Sequence, residues 1–252
     1  MIATERFQKE LELINNHGIM ATAQLSKILG VTEMTIRRDM QSLEEQGLIQ
    51  RVHGGARSLK ATHTVSMSQE KNMRERTEHA EEKNAIGKYA AGLIKDGMTI
   101  YVDGGTSTAA IIPYMHAEDI RIITNSLLVA EQCHDTDIEV YLLGGRLIQK
   151  YSMIAGPLAS HDLNQFHFDI AFISCLGIDA EEKLIYTAET DTAEIKKDAL
   201  RNASQAYLPA DASKLHTRSF YHPVSTDMFT NVIMNHPSDY SEDDLPDNFI
   251  LI

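Results

Sequence analysis

Along the first sixty positions, apolar residues recur with the period of a helix and define three short segments in close succession. Phe7, Leu11 and Ile14, with Leu13 beside them, mark a first helix closed by the polar stretch Asn15-Asn16-His17-Gly18. Leu25, Ile28 and Leu29 share one face of a second, which Gly30 ends because a residue without Cβ enters the left-handed conformation cheaply. Thr32 is placed to cap a third, whose inward positions Ile36, Met40 and Leu43 keep the period until Gly47. The period then changes. Leu48-Ile49-Gln50-Arg51-Val52 is β-prone, His53-Gly54-Gly55 reads as a tight turn, and Arg57 and Lys60 follow.

Beyond the turn, Ser58 to Ser68 is rich in Ser and Thr and has no helical period, so it reads as an extended linker. This divides the chain into residues 1–57, a linker over 58–69 and a larger domain over 70–252. Ile86, Tyr89, Ala90, Leu93 and Ile94 predict an amphipathic helix ending at Asp96-Gly97. From Met98 onward, short apolar runs alternate with polar or glycine turns and helical stretches, as in a parallel sheet with crossover helices. Six strands are expected, at 98–102, 120–123, 138–143, 170–173, 206–208 and 232–234, giving an open α/β sheet. The acidic tail from Ser238 to Asn248 reads as partly loose.

Charge sharpens this division. The net charge of -13 argues against nucleic acid for the chain as a whole, yet residues 1–60 carry +1 and the remainder -14. Only the N-terminal part can approach DNA, and salt screens the acidic remainder beyond about 8 Å. No run of about 18 apolar residues occurs and the N-terminus lacks a signal-peptide pattern, so a cytoplasmic protein without membrane contact is expected. Cys133 and Cys175 sit among apolar residues without metal-ligand spacing and read as buried thiols; His161 and His167 read as structural or surface residues, and no metal or cofactor is expected.

The outward face of the third helix carries Met34, Arg37, Arg38 and Gln41, opposite its apolar stripe. A solvated helical hairpin would explain this, and so would a helix laid in the major groove, where Arg reads guanine or phosphate and Gln reads adenine. The β-prone run and its turn would then be a wing. The runs Thr35-Ile36-Arg37-Arg38-Asp39-Met40, Leu43-Glu44-Glu45-Gln46-Gly47-Leu48 and Arg51-Val52-His53-Gly54-Gly55-Ala56 resemble the signature of the DeoR family of bacterial transcriptional regulators. The resemblance implies a winged helix-turn-helix whose recognition helix starts near Thr32, with Arg37 and Arg38 on double-stranded operator DNA. Thr32, Met34, Thr35, Gln41, Arg51, His53 and Arg57 complete the expected DNA face.

In open α/β sheets ligands bind past the carboxyl ends of the strands, and four turns there share a chemistry. Asp103-Gly104-Gly105-Thr106-Ser107-Thr108 offers glycines, hydroxyls and the N-terminus of a helix expected near Ala109, as a phosphate cradle would. Thr124-Asn125-Ser126 is polar and opens a helix; Gly144-Gly145-Arg146 is followed by Lys150 and Ser152; Asp211-Ala212-Ser213-Lys214 supplies a carboxylate and a cation. Each turn alone is common in sheets without ligands, but together they describe a site for a phosphorylated polyol. They also resemble the effector domain of the same family, related in fold to sugar-phosphate isomerases. That likeness implies a phosphorylated sugar or sugar alcohol, with residues 105–108 near phosphate and Asp103, Asn125, Asp211 and Lys214 near hydroxyls or phosphate.

Some positions depart from the family. Asp179-Ala180-Glu181-Glu182-Lys183 lacks the usual turn glycine, Asn235 stands where Asp often follows the last strand, and Pro209 implies an edge or a bend. The functional expectation is a repressor of a sugar-metabolism operon, working as a homodimer or homotetramer because palindromic operators pair half-sites. The alternative is a sugar-phosphate isomerase or deaminase with an accessory domain. It lacks a base: Leu147-Ile148-Gln149-Lys150-Tyr151 holds neither Glu nor His, so no enzyme is expected.

Overall fold

A computed structural model describes residues 3–58, 63–64, 71–237, 240 and 245–252. Two compact units are present: residues 1–64 with 216–218, and 65–215 with 219–252.

The first unit runs α1 (Ala3–His17), β1 (Ile19–Ala21), α2 (Thr22–Leu29), α3 (Glu33–Glu45), β2 (Ile49–Val52), β3 (Gly55–Ser58) and β4 (His63–Thr64). Ile14, Met20, Leu25, Ile36, Met40, Leu43 and Ile49 form its core. Gly30 sits at φ 67°, the left-handed end that the sequence requires of α2. Ile28, expected inside, is 57% exposed. Thr22 takes its place, because positions 22, 25 and 29 form the stripe facing the core, and the Thr22 hydroxyl reaches the Met40 sulfur at 3.9 Å. The β2–β3 hairpin pairs Val52 with Gly55, and β1 adds to β3. A Cβ at Gly55 would lie 2.3 Å from the Met20 carbonyl oxygen, so the strands can close only over glycine here. Of the expected linker, residues 59–62 and 65–69 lie outside the described residues, with Lys60 among them, whereas His63–Thr64 pairs in parallel with Thr217–Arg218.

The second unit runs α4 (Ala80–Ala91), β5 (Thr99–Val102), α5 (Thr106–Ala109), β6 (Arg121–Thr124), α6 (Leu127–Gln132), β7 (Glu139–Leu142), β8 (Arg146–Ile148), β9 (Met153–Ala155) and α7 (Pro157–Leu163). It continues with β10 (Phe168–Phe172), β11 (Gly177–Asp179), β12 (Leu184–Thr187), α8 (Thr190–Arg201), β13 (Ala203–Pro209), β14 (Thr217–Arg218, counted with the first unit), β15 (Tyr221–Ser225), β16 (Asn231–Met234) and β17 (Phe249–Leu251). A parallel sheet of order β17-β16-β13-β10-β5-β6-β7 forms the centre. All six expected strands belong to it, with β17 as a seventh. Successive residues of β5 feed opposite faces. Ile100 and Val102 pack with Ile86, Ala90 and Val129, and Tyr101 packs with Leu163, Ile195 and Ala199.

Three details depart from expectation. The helix over 86–94 ends at Ala91, and Tyr89 is 40% exposed, so the buried stripe runs through Lys83, Ile86, Gly87 and Ala90. Pro209 marks no edge: β13 lies inside the sheet and Pro209 is its last residue, where one lost donor is tolerated. Asn235 follows β16, which β17 covers, and Lys183 holds the left-handed geometry (φ 56°) that the missing turn glycine would have supplied. Two smaller assemblies escaped the sequence pattern, the β8–β9 hairpin and an antiparallel sheet β11-β12-β15. Within the acidic tail, 238–239 and 241–244 lie outside the described residues. No described helix is long and apolar enough to cross a membrane.

Candidate functional site

On α3 the Thr32 side chain accepts from the Thr35 backbone N–H at 3.2 Å, which fixes the start of the helix. Met34 is 79% exposed, and Arg37, Arg38 and Gln41 are exposed with it. Arg37 donates to Glu33 at 3.3 Å and Gln41 to Glu45 at 3.1 Å. Arg51 lies 3.8 Å from Glu44, and Arg57 donates to Gln50 at 2.7 Å; His53 is exposed at the hairpin turn. Exposed pairs of this kind are worth about 0–1 kcal/mol and yield readily to a phosphate. The side that faces the core was not legible in periodicity: Asp39 is buried and receives both arms of the Arg6 guanidinium, tying α3 to α1.

In the second unit the chain runs β5, β6, β7 toward one edge, then returns to lay β10 on the other side of β5 and proceeds through β13 to β17. The strand order therefore reverses between β5 and β10, the place where open sheets leave a crevice for ligands. Asp103 follows β5 and Ser174 follows β10. The Ser174 backbone N–H and hydroxyl donate to Asp103 Oδ2 at 2.9 and 2.7 Å, and the buried ammonium of Lys196 joins the same oxygen and the Ser174 hydroxyl. Asp103 Oδ1 is buried without a hydrogen-bond partner among the described residues. Past β13, Asp211 is likewise buried, with Oδ1 engaged by the Ser213 hydroxyl and Oδ2 without a partner. Asn235 accepts from the Ala212 backbone N–H at 2.9 Å and holds this turn.

Electrostatics connects these turns. Burial lowers the Lys83 ammonium, against the pull of Asp211 and with the push of Lys214. Burial pushes the Cys175 thiol up to about 12, with Lys214, Lys196, Asp211 and Asp103 all acting on it. Cys133, also buried, is raised to about 11 by burial alone. Cys175 itself is half-buried rather than enclosed. The crevice thus collects Asp103, Ser174, Lys196, Asp211, Lys214 and Lys83.

Several other expected ligands make contacts within the fold. Gly104 and Gly105 leave room for protein: a Cβ at Gly104 would meet the Met153 side chain at 2.4 Å, and one at Gly105 the Ser174 Cβ at 2.6 Å. The helix after them begins at Thr106, three residues earlier than expected; Thr106 is half-buried and Ser107 buried. The Thr108 hydroxyl donates to the Asp103 and Gly105 carbonyls, at 2.7 and 3.0 Å. Thr124 donates to the Val102 carbonyl at 2.6 Å, Ser126 caps α6, and Asn125 accepts from Tyr101 and donates to the Ile154 carbonyl, both at 3.1 Å. Gly144 and Gly145 open the β8–β9 hairpin on the surface, where Arg146 pairs with Asp191 and Glu189. Lys150 is half-buried within that hairpin, and Ser152 is buried at φ 50°.

Ser174, Lys196 and Lys83 were missed by sequence reasoning. Ser174 stands one residue past Ile173, the last residue of an expected strand, and both lysines interrupt apolar helical stripes, Lys83 one turn before Ile86 and Gly87, Lys196 one turn before Ala199 and Leu200.

A model of the DeoR-like helix-turn-helix domain matches residues 6–62, and a model of the DeoR C-terminal sensor domain matches 78–236. The chain belongs to the DeoR family. It is 35% identical over 222 residues to the HTH-type transcriptional repressor GlcR of Bacillus subtilis, spanning 88% of this chain and 84% of that one. It is 33% identical over 222 residues to the lactose phosphotransferase system repressor of Staphylococcus epidermidis, spanning 86% and 85%. Among solved structures it aligns with the full-length sorbitol operon regulator SorC from Klebsiella pneumoniae (TM-score 0.40, 13% identity, 94% of this chain and 97% of that one). It also aligns with ribose 5-phosphate isomerase A of Methanocaldococcus jannaschii (TM-score 0.40, 18% identity, 54% of each). Membership makes the first unit of this DeoR chain a helix-turn-helix module and the second a sensor domain.

Proposed function

We propose that this DeoR-family chain is a cytoplasmic repressor of a sugar-metabolism operon, a homodimer or homotetramer whose affinity for operator DNA changes when a phosphorylated sugar or sugar alcohol enters the β5/β10 crevice. One observation carries the ligand class. Asp103 and Asp211 each bury an oxygen without a partner among the described residues; Lys196 is bonded to Asp103, and Lys83, which donates to the Glu78 carbonyl, is acted on by both Asp211 and Lys214. Buried acceptors of this kind call for hydroxyl donors, and ammonium groups supply the countercharge for a phosphate. Arg37 and Arg38, with Met34, Gln41 and the hairpin residues Arg51, His53 and Arg57, form the surface that meets DNA.

Calorimetry with a panel of phosphorylated sugars and their unphosphorylated parents tests the ligand class. Saturable heat with a phosphorylated member, absent with its parent and weakened at least tenfold by Lys214→Ala, is the expected result. Binding that ignores the phosphate would sink the reading. The isomerase alternative finds Asp103 already tied down by Ser174 and Lys196 rather than placed to move a proton between carbons. The same sugar phosphates are expected to be bound and recovered without turnover.

A further inference from the structure

Glu10 lies on the buried stripe of α1, one turn before Leu13 and Ile14, and has no exposed surface. Neither of its carboxylate oxygens has a hydrogen-bond partner among the described residues. Arg6 is 3.7 Å away, but its guanidinium is already forked onto Asp39 of α3. Two carboxylates therefore share one cation inside the contact between the first helix and the DNA-facing helix. An ionised carboxylate buried without a partner is costly, and one proton removes the problem. Protonated, Glu10 can donate to Asp39, which gives one of its two oxygens a partner and leaves Asp39 and Arg6 as a balanced pair.

The charges around Glu10 agree with this. Burial foremost, then Asp39, push its carboxyl up to about 8, and Arg6 opposes them weakly. From the other elements packed on α1, Lys27 of α2 is exposed, Arg57 of β3 donates to Gln50, β1 carries no ionisable side chain, Glu33, Glu44 and Glu45 of α3 are exposed, and β4 carries His63, whose side chain lies outside the described residues. Arg37 and Arg38 of α3 are exposed on its far side.

We propose that Glu10 is a proton-dependent clamp between α1 and α3, holding the DNA-reading helix in place when protonated and loosening it when ionised. The folded-state value lies above the ordinary one of 4.5, so the stabilising contribution is complete below about 4.5 and is lost as pH rises toward about 8. Across that window the opening equilibrium of the first unit rises with pH, with about tenfold per pH unit as the one-proton limit.

Hydrogen exchange of the intact chain from pH 5.5 to 8.5, normalised to intrinsic exchange at each pH, reads that opening locally. Peptides spanning α1 and α3 should lose protection as pH rises, by up to about tenfold per pH unit, while peptides of β5 and β10 keep theirs. Glu10→Gln, which has nothing to ionise, should hold the protection of α1 and α3 level throughout. A pH dependence that survives in folded Glu10→Gln overturns the clamp. If that variant does not fold, the parent decides alone: equal normalised protection of α1 and α3 at pH 5.5 and 8.5 overturns it as well.

Discussion

At the scale of single residues, this chain separates charges placed for contact from charges placed for structure. Arg37 and Arg38 stand on the exposed side of α3, so replacing either with Ala should leave unfolding unchanged. Operator affinity should fall by about 1–3 kcal/mol for a lost base contact, or uniformly over all sequences for a lost phosphate contact. Fluorescence titration at two salt concentrations distinguishes these, and undiminished affinity in both variants would remove α3 from the DNA surface. Lys196 is the opposite case. It is buried against Asp103, and Lys196→Met would strand a carboxylate in the sheet crevice, at a cost of about 3–5 kcal/mol. Chemical denaturation of the second unit measures this, and adding Asp103→Asn should restore part of the loss. A single-variant loss below about 1 kcal/mol would mean that the pair does not hold the turn.

At the scale of elements, close approach decides more than propensity does. A Cβ at Gly87 of α4 would lie 2.2 Å from the Ala110 carbonyl oxygen, so α4 can press onto the end of α5 only with glycine there. In an exposed helix Gly→Ala stabilises by about 1 kcal/mol. Here Gly87→Ala should destabilise by about 1–3 kcal/mol, since backbone cannot yield as a side chain can. A raised melting temperature in the variant would contradict the packing. Elements differ in how far the sequence discloses them. The three helices of the first unit, α4 and the six central strands announce themselves by period, because each buries a regular stripe or run. The β8–β9 hairpin and the β11-β12-β15 sheet do not, since their strands are short and their burial mixed. Asn125 and Thr108 show the same limit within the site. Polar residues at strand ends look alike in sequence whether they face a ligand or bind their own backbone.

At the scale of the whole molecule, the proposed control of operator binding requires that ligand and operator affect each other. A coupling of about 1–3 kcal/mol changes operator affinity about 5- to 150-fold, and operator DNA must change sugar-phosphate affinity by the same factor. Ligand is expected to weaken operator binding, and Lys214→Ala should abolish the response while keeping basal affinity, since Lys214 belongs to the second unit. Four titrations, parent and variant with and without ligand, check this. Equal operator affinity in all four, with binding of ligand to the parent established separately, would show that the crevice is not a switch.

The sequence by itself determined the two-part organisation, the outward arginines of α3 and the parallel sheet, because these follow from periods of 3.6 and 2 and from the separation of charge along the chain. It also placed Asp103 and Asp211 at strand ends. The tertiary structure alone decided which side chains meet. Strand order puts the turns after β5 and β10 side by side although about seventy residues separate them, and so joins Asp103 to Ser174. The same folding carries Lys83 and Lys196 into the crevice and Glu10 against Asp39. Each of the three breaks an apolar stripe, which marks it as unusual in the sequence, but only packing supplies the partner that makes a buried charge tolerable.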